Sequence, residues 1–250
     1  MAFDTERNTL AGVGQQAAID EGLRAYMLRV YNYMASGLAL TGIVAMVIAN
    51  MSVVTGASGE IVGLTSLGQA LFGSALKWVV MLAPLGFVLF LSFGLHRMSF
   101  TTAQAVFWAF AGAMGVSMAT IFMVYTGGSI ARVFFIAAGT FAAMSLYGYT
   151  TKKDLSGFGT FLFMGLIGII IASVVNMFMQ SSALQFAISV IGVLVFVGLT
   201  AYDTQNIKNE YSEFHDRETA GKLAISGALR LYLDFINLFI MLLHLFGDRR

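Results

Sequence analysis

The 250-residue chain has no cysteine, a single proline and three histidines. Without cysteine it can form no disulfide, carry no thiolate nucleophile and build no cysteine-based metal site. Charged residues are scarce, at 11% of the sequence against about 25% in an average soluble domain. The net charge of +1 provides no strongly basic surface, so we expect no nucleic-acid partner.

Long charge-free runs take the place of the missing charge. The sequence is 58% hydrophobic, and a membrane helix needs about 20 mainly apolar residues. Seven such segments, which we call spans 1 to 7, are predicted at 31–51, 78–95, 103–125, 133–151, two within 155–202 on either side of a turn at 176–183, and 224–246. The sequence therefore predicts an all-α integral membrane protein with seven transmembrane helices.

The first thirty residues differ from the remainder of the chain. We predict a cytoplasmic N-terminal segment at 1–30 and a single seven-helix membrane domain at 31–250. Within the segment, 17–30 (AAIDEGLRAYMLRV) places five apolar side chains on one helical face: Ile19, Leu23, Tyr26, Met27 and Val30. This pattern favours an interfacial helix that leads into span 1, and a solvated lead-in is the alternative.

Lysine and arginine predict the orientation, because short cytoplasmic loops carry an excess of them. With the N-terminus inside, the cytoplasmic segments contain Arg7, Arg24, Arg29, Arg97, Lys152, Lys153, Lys208, Arg217 and Lys222. The outer segments then contain Lys77, Arg132, Arg249 and Arg250. This asymmetry favours a cytoplasmic N-terminus and, with seven spans, an outer C-terminus. If span 7 is re-entrant, the C-terminus returns to the cytoplasm.

Two acids lie in or beside apolar runs. Residues 155–202 contain no charged residue and no histidine, and Asp203 follows directly within GLTAYDTQNI. Asp234 lies in LYLDFINLF, about ten residues or 15 Å into span 7. An ionised carboxylate at that depth costs about 3 kcal/mol or more unless it faces a polar interior. Asp234 is therefore a candidate functional residue, whereas Asp203 alone could be an interfacial residue in contact with water.

The two carboxyl groups can meet if spans 6 and 7 are neighbours, because both acids then lie toward the cytoplasmic side. Two close carboxylates in a low-dielectric site cannot both ionise easily and would titrate as a unit, which makes the pair a proton sensor. When deprotonated, Asp203 and Asp234 offer oxygen ligands suited to Ca²⁺. Two carboxylates alone indicate transient binding, so we expect Ca²⁺ as a permeant ion and no resident cofactor.

Two cations could act on this pair. Arg230 precedes Asp234 by four residues and thus shares its helix face. It either pairs with Asp234 or extends to the cytoplasmic interface. Arg97, at the cytoplasmic end of span 2, could reach Asp203, and its alternative role is that of a positive anchor in an inner loop.

The sequence contains no constellation that indicates an enzyme. GASGEIVG (56–63) is similar to the serine motif of rhomboid intramembrane proteases, but Ser58 lies in a polar loop. His244, near the end of span 7, is the one histidine well inside a span region. A retinal Schiff base needs a lysine in the middle of span 7, and Lys222 lies at its start. We therefore expect no enzymatic activity.

The segment GLTAYDTQNIK followed by ALRLYLDFINLFIMLLHLFG resembles the C-terminal signature of the Bax inhibitor-1 family, with the bacterial branch closest. HRMS, FWAFAGAMG and KKDLSGFGTFLFMGLIG extend the similarity over the chain. The resemblance implies that spans 1–6 surround a central span 7. It also implies a pH-sensitive calcium leak controlled by an aspartate pair, matched here by Asp203 and Asp234, with Arg97 as the gating partner.

The chain departs from the family signature at one position, and the family suggests one alternative function. The family signature often has a small polar residue where this chain has Arg230. Some bacterial relatives lack the paired acids and are linked to a membrane-anchored AAA protease, so a regulator of membrane-protein quality control that binds such a protease is the alternative function. Because this chain keeps both acids, we favour the ion leak. The implied location is the bacterial inner membrane, with the lipid bilayer, Ca²⁺ and H⁺ as partners.

Overall fold

A computed structural model of the chain describes residues 2–56 and 60–250, and within these ranges the side chains from Glu21 onward. This part contains the long helices α1 (Ala2–Ser52), α2 (Leu76–Gly94), α3 (Phe100–Val124), α4 (Gly127–Thr150), α5 (Ser156–Met179), α6 (Ser182–Asn209) and α7 (Arg217–Phe246). Each contains a segment long and apolar enough to cross a membrane. The prediction of an all-α, seven-span membrane protein is confirmed. Ser58 of the rhomboid-like motif lies outside the described residues.

Short polar side chains begin most of these helices. Ser99, Thr126, Ser181 and Asp216 each occupy the N-cap position, where the side chain accepts a hydrogen bond from the backbone N–H three residues later. At the end of α5, Gln180 adopts a left-handed conformation with φ of 51°. The chain reverses here into α6, inside the turn predicted at 176–183.

Helix α1 is continuous from Ala2 to Ser52, so no break separates the predicted N-terminal segment from span 1. Its membrane-spanning part begins at Glu21. Leu23 packs against the core, and the side chain of Ile19 lies outside the described residues. The other three side chains of the predicted interfacial face are buried in the bundle: Tyr26, Met27 and Val30. This stretch therefore forms part of the packed bundle, because its apolar face meets neighbouring helices.

Helix α7 has the largest buried share of the seven spans, and it contacts α1, α2, α3, α4 and α6. Helix α5 packs mainly on α6. These contacts make α7 the most enclosed helix, but they do not establish the predicted complete ring of six helices around it. We call the end of the bundle where the α1 span begins the N-terminal end, and the end where α7 finishes the C-terminal end.

A hydroxyl chain fastens the middle of α7 to two other helices. Thr41 of α1 donates a hydrogen bond to the carbonyl of Ala111 in α3 at 2.8 Å. The same hydroxyl lies 2.7 Å from the Tyr232 hydroxyl of α7, which can donate to it. All three residues are buried, so hydrogen bonds and packing together hold α1, α3 and α7.

Helices α4 and α6 approach closely at Gly148. A Cβ atom at this position would collide with the backbone of Ala201 in α6. Small residues permit such contacts between membrane helices, where dispersion forces and hydrogen bonds replace the hydrophobic effect as the driving force. Gly148 therefore sets the distance between the two helices near the N-terminal end.

A short antiparallel hairpin interrupts the connection between α1 and α2. Strand β1 (Val53–Thr55) pairs with β2 (Ile61–Leu64), with Val53 opposite Leu64. The sequence analysis treated this region as a polar loop. The β-branched residues on both sides of the turn fit a pleated ribbon, but strands of three and four residues give too short a pattern to recognise.

The residues after α7 are fastened to the α3–α4 turn. The backbone N–H of Thr126 donates to the carbonyl of Asp248 at 3.0 Å, and that of Arg250 donates to the carbonyl of Val124 at 2.9 Å. Arg132 of α4 also forms an ion pair with Asp248 at 2.9 Å. The C-terminal end of α7 is thus tied to two neighbouring helices.

Candidate functional site

The structure brings the two predicted acids together. Asp234 of α7 is buried, at 5% exposure, and Asp203 of α6 is half-buried. Because α6 and α7 pack along one another, the two carboxyl groups lie close enough to interact electrostatically. Two neighbouring carboxyl groups can form a hydrogen bond only when one of them carries a proton.

One oxygen of this pair has no partner. Asp234 Oδ2 is fully buried and forms no hydrogen bond within the described part of the chain. A buried polar atom without a partner is costly, and most such atoms in folded proteins are satisfied. The unsatisfied oxygen marks a position where a proton or a cation would be stabilised.

Arg230 forms an ion pair at the edge of this site. Its Nη2 atom lies 2.5 Å from Oε2 of Glu210, and both side chains are about one third exposed. The guanidinium also interacts electrostatically with Asp203 and Asp234. Arg230 therefore contacts Glu210 directly while its charge acts on both carboxyl groups. Its pairing with Asp234 and its extension to the cytoplasmic interface stay predictions.

Glu210 is the site residue that the sequence analysis missed. It follows Asp203 by seven residues, which is two helical turns and thus the same face of α6. This seven-residue spacing could have predicted that Glu210 lies on the same side of the helix as Asp203. The apolar run ends at Tyr202, however, which predicts the end of the span there, whereas α6 continues to Asn209.

Within the described part of the chain, the groups that interact most strongly with Asp203 and Asp234 do not include Arg97. It is exposed in a single 3₁₀ turn, Leu95–Arg97, which follows α2. The cation that interacts with Asp203 in this arrangement is Arg230. The partnership of Arg97 with Asp203 stays a prediction.

Polar residues next to Asp203 fix its helix to α4 and to the α4–α5 loop. The Thr204 hydroxyl lies 2.9 Å from the Ser145 hydroxyl, which in turn lies 2.7 Å from the Tyr31 hydroxyl of α1. The Gln205 side chain accepts a hydrogen bond from the backbone N–H of Leu155 at 2.9 Å. The polar residues of this segment thus hold the last two turns of α6 in a defined position.

A cavity of about 370 Å³ lies between α2 and α7 and reaches the Glu210–Arg230 ion pair. Its wall includes the polar side chains of Ser92, His96 and Ser226. Most of the remaining wall is aliphatic, so only the part beside these polar groups and the ion pair offers hydrogen-bond partners to water.

The C-terminal end of α6 and α7 carries a different polar cluster. Gln185 of α6 donates a hydrogen bond to Nδ1 of His244 in α7 at 3.1 Å. Asn176 of α5 donates to Gln185 Oε1 at 3.2 Å, and the Ser189 hydroxyl lies 3.5 Å from Gln185 Nε2. This cluster contains amides, a hydroxyl and an imidazole, but no acid.

Among the described side chains, no group of three or more histidine, aspartate or glutamate residues could hold a metal ion. The site consists of two neighbouring carboxyl groups on adjacent spans, one ion pair and a cavity that reaches this ion pair. Together with the fold, it defines a seven-span membrane protein with an ionisable pair enclosed among its helices.

The chain belongs to the Bax inhibitor-1 family, because residues 23–250 match the family described as "Inhibitor of apoptosis-promoting Bax1". It is 47% identical over 232 residues to the inner membrane protein YbhL of Escherichia coli K12, covering 92% of this chain and 94% of YbhL. It is 46% identical over 242 residues to RP147 of Rickettsia prowazekii, covering 97% of both chains. The membrane protein SpyM3_0260 of Streptococcus pyogenes is 32% identical over 228 residues, 91% of this chain and 94% of that protein.

Proposed function

We propose that this protein forms a pH-sensitive calcium leak in the bacterial inner membrane, gated by Asp203 and Asp234. The observation that carries the proposal is the direct approach of two carboxyl groups on adjacent spans, one of them buried with an unsatisfied oxygen. The similarity to a relative named as an inner membrane protein supports the location. The excess of lysine and arginine at the N-terminal end supports a cytoplasmic N-terminus.

Protonation controls the distance between α6 and α7 in this proposal. With one shared proton the carboxyl groups hold each other, and α7 remains packed on α6. When that proton leaves, two negative charges face each other in a medium of low dielectric constant, where their repulsion is strong. A proton shifts the balance between closed and open arrangements only as far as its affinity differs between them.

Calcium is the transported ion rather than a resident cofactor. The deprotonated pair supplies the hard oxygen ligands that Ca²⁺ prefers. It supplies far fewer of them than the roughly six to eight that surround Ca²⁺ in a tight site. Such a pair would delay the ion only briefly. Arg230 lies at the cytoplasmic approach, where its pairing with Glu210 reduces its repulsion of an incoming cation. No enzymatic step is part of this function.

The test is calcium flux into proteoliposomes loaded with a calcium-sensitive dye, measured between about pH 5 and 8, the range in which a physiological proton switch operates. We expect the wild type to show a pH-dependent leak, and Asp203→Asn and Asp234→Asn each to flatten it. Glu213→Gln is the matched control, because Glu213 is an exposed acid in the connection between α6 and α7 and forms no ion pair with a described side chain. If both site variants keep the wild-type pH profile, the aspartate pair is not the gate.

A second candidate is the regulation of membrane-protein quality control through a membrane-anchored AAA protease. The observation that favours it is Phe214, which is 89% exposed in the charged connection between α6 and α7, where aromatic side chains are suited to anchor a partner. Crosslinking in membranes, followed by a pull-down with the wild type and with Phe214→Ser, tests it. Recovery of such a protease with the wild type alone supports this function, and recovery with neither counts against it.

A further inference from the structure

A groove at the N-terminal end is separate from the carboxyl site. Its volume is about 920 Å³, and it lies between α1, α3 and α7. Its outer part carries Arg29 of α1, Ser99 and Thr101 at the start of α3, and Arg217 at the start of α7. We propose that this groove binds the phosphate headgroup of an anionic phospholipid, with an acyl chain along its inner part.

Two cations in the groove are available for a ligand. Arg29 and Arg217 are exposed, and neither forms an ion pair with a described side chain. The acid on the same wall, Glu218, lies 3.6 Å from Lys222, which offsets its charge. Two guanidinium groups on one cavity favour a phosphate, because the planar guanidinium binds phosphate oxygens through two parallel hydrogen bonds.

The start of α3 adds hydrogen-bond donors to these charges. Ser99 caps the helix by accepting from the N–H of Thr102. The N–H groups of Phe100 and Thr101 precede the first intrahelical hydrogen bond, which runs from Ala103 to Ser99, so they remain free to bind an anion. The start of α3 and both arginines line the same groove. The partial positive charge of the helix start and the two guanidinium charges therefore attract the same anion.

The groove changes character with depth, which favours a lipid over a soluble phosphate. Tyr33 lies one turn beyond Arg29 on α1, about 6 Å further along the helix axis. Trp108 lies eight residues after Phe100, about 12 Å along α3. Leu28 adjoins Arg29 at the outer level, whereas Asn32 and Ser36 lie further in. The Ser36 hydroxyl donates hydrogen bonds to the carbonyls of Asn32 and Tyr33. Tyrosine and tryptophan are typical of the membrane–water boundary. The groove thus offers charge at the headgroup level and apolar surface where an acyl chain would run.

The two tryptophans allow a direct test, because one of them lies in the groove. Trp108 lines it, and Trp78 lies on α2. In a Trp78→Phe background, the full chain is placed in phosphatidylcholine vesicles that contain a minor fraction of either phosphatidylglycerol or phosphatidylcholine with brominated acyl chains. Bromine quenches a neighbouring indole, so the fluorescence of Trp108 reports which lipid occupies the groove.

We expect brominated phosphatidylglycerol to quench Trp108 more strongly than brominated phosphatidylcholine. Each basic residue near an anionic membrane surface changes binding by about fivefold, so Arg29→Gln and Arg217→Gln should each reduce the preference by about that factor, and the double variant should lose it. Arg24→Gln is the matched control. The substitution removes the same charge from the same helix, α1, but Arg24 lines a different cavity. This variant should keep the preference.

Three results would overturn the proposal. Equal quenching by both lipids would show that the groove does not select the headgroup charge. An equal loss in Arg24→Gln would assign the preference to the general surface charge. Full displacement of brominated phosphatidylglycerol by soluble glycerol phosphate would indicate a site for a soluble phosphate instead. Circular dichroism and gel filtration of each variant confirm the fold, which substitution of exposed arginines should leave intact.

Discussion

Both ends of the α6–α7 pair place polar side chains between spans, but the two ends differ in whether those side chains find hydrogen-bond partners. At the C-terminal end, Gln185 and His244 form a neutral cluster in which no buried polar atom lacks a partner among the described residues. At the N-terminal end, Asp203 and Asp234 face each other, and an oxygen of Asp234 has no partner.

This difference separates polar residues that hold helices together from polar residues that are candidates for another role. A neutral and satisfied cluster contributes modestly to helix association. A buried polar atom without a partner costs stability, so the N-terminal end is the candidate for a function other than helix packing.

The largest expected effect comes from replacing a polar residue by leucine at each end. Asp234→Leu removes the unsatisfied oxygen and should increase the free energy of unfolding by about 1–3 kcal/mol, the usual cost of an unsatisfied buried polar group. Gln185→Leu leaves His244 and Asn176 without their partner and should lower it by about 1 kcal/mol. Unfolding in detergent, followed by circular dichroism, measures both. Destabilisation of similar size in both variants would remove the distinction between the two ends.

The next effect concerns the close approach of α4 to α6 beside the carboxyl site. Gly148→Ala places a methyl group against the backbone of Ala201, and overpacking of this kind typically costs about 1–3 kcal/mol. Gly139→Ala is the matched control on the same helix, since a Cβ there meets no atom within 4 Å. The thermal midpoints in detergent should fall for the first variant and stay near the wild type for the second. Equal midpoints would show that α4 can shift without cost.

A smaller effect is expected at the ion pair. Because Arg230 and Glu210 are each about one third exposed, solvent screening limits the loss in Glu210→Gln to about 0.5 kcal/mol. Arg230→Gln should cost more, because this cation also interacts with Asp203 and Asp234. The same unfolding experiment compares them. A greater loss in Glu210→Gln would mean that Arg230 does not support the carboxyl pair.

The smallest effect is expected at the start of α7, outside the membrane-spanning segment. A side-chain hydrogen bond with Thr219 lowers the pKa of Asp216 from its usual 3.8. A lowered pKa stabilises the folded state above the usual value, and this contribution disappears as the pH falls through the lowered pKa. Asp216→Asn keeps the cap without the charge, so its stability relative to the wild type should rise on acidification below about pH 4. A constant difference across this range would contradict the assignment.

The apolar runs predicted the spans and the acid pair because both depend on local sequence. A span is recognisable from about 20 consecutive apolar residues. Because α6 and α7 are consecutive and antiparallel, Asp203 and Asp234 lie toward the same end of the bundle. The last two turns of α6 were not predicted, since Thr204 and Gln205 are polar residues satisfied by Ser145 and by the α4–α5 loop. Hydropathy cannot register polar residues whose partners are distant in sequence.

The packing details around the site were also beyond local patterns. The contact of Gly148 with Ala201 joins residues 53 positions apart, as their numbers show. The burial of Tyr26 in the bundle likewise depends on which helices surround α1. The sequence revealed an amphipathic face there but did not distinguish a membrane surface from neighbouring helices as the covering layer.

The fastening of residues 248–250 to the α3–α4 turn gives α7 a pivot. A rod held at one end moves in proportion to the distance from that end. Asp234 precedes Phe246 by twelve residues, about 18 Å along the axis. A tilt of about 10° would carry its carboxyl group through about 3 Å, and Leu243 through less than about 1 Å. Because the Tyr232 hydroxyl of α7 lies 2.7 Å from the Thr41 hydroxyl of α1, such a tilt would break this contact or carry α1 along. Separation of the two acids would thus be coupled to the middle of the bundle.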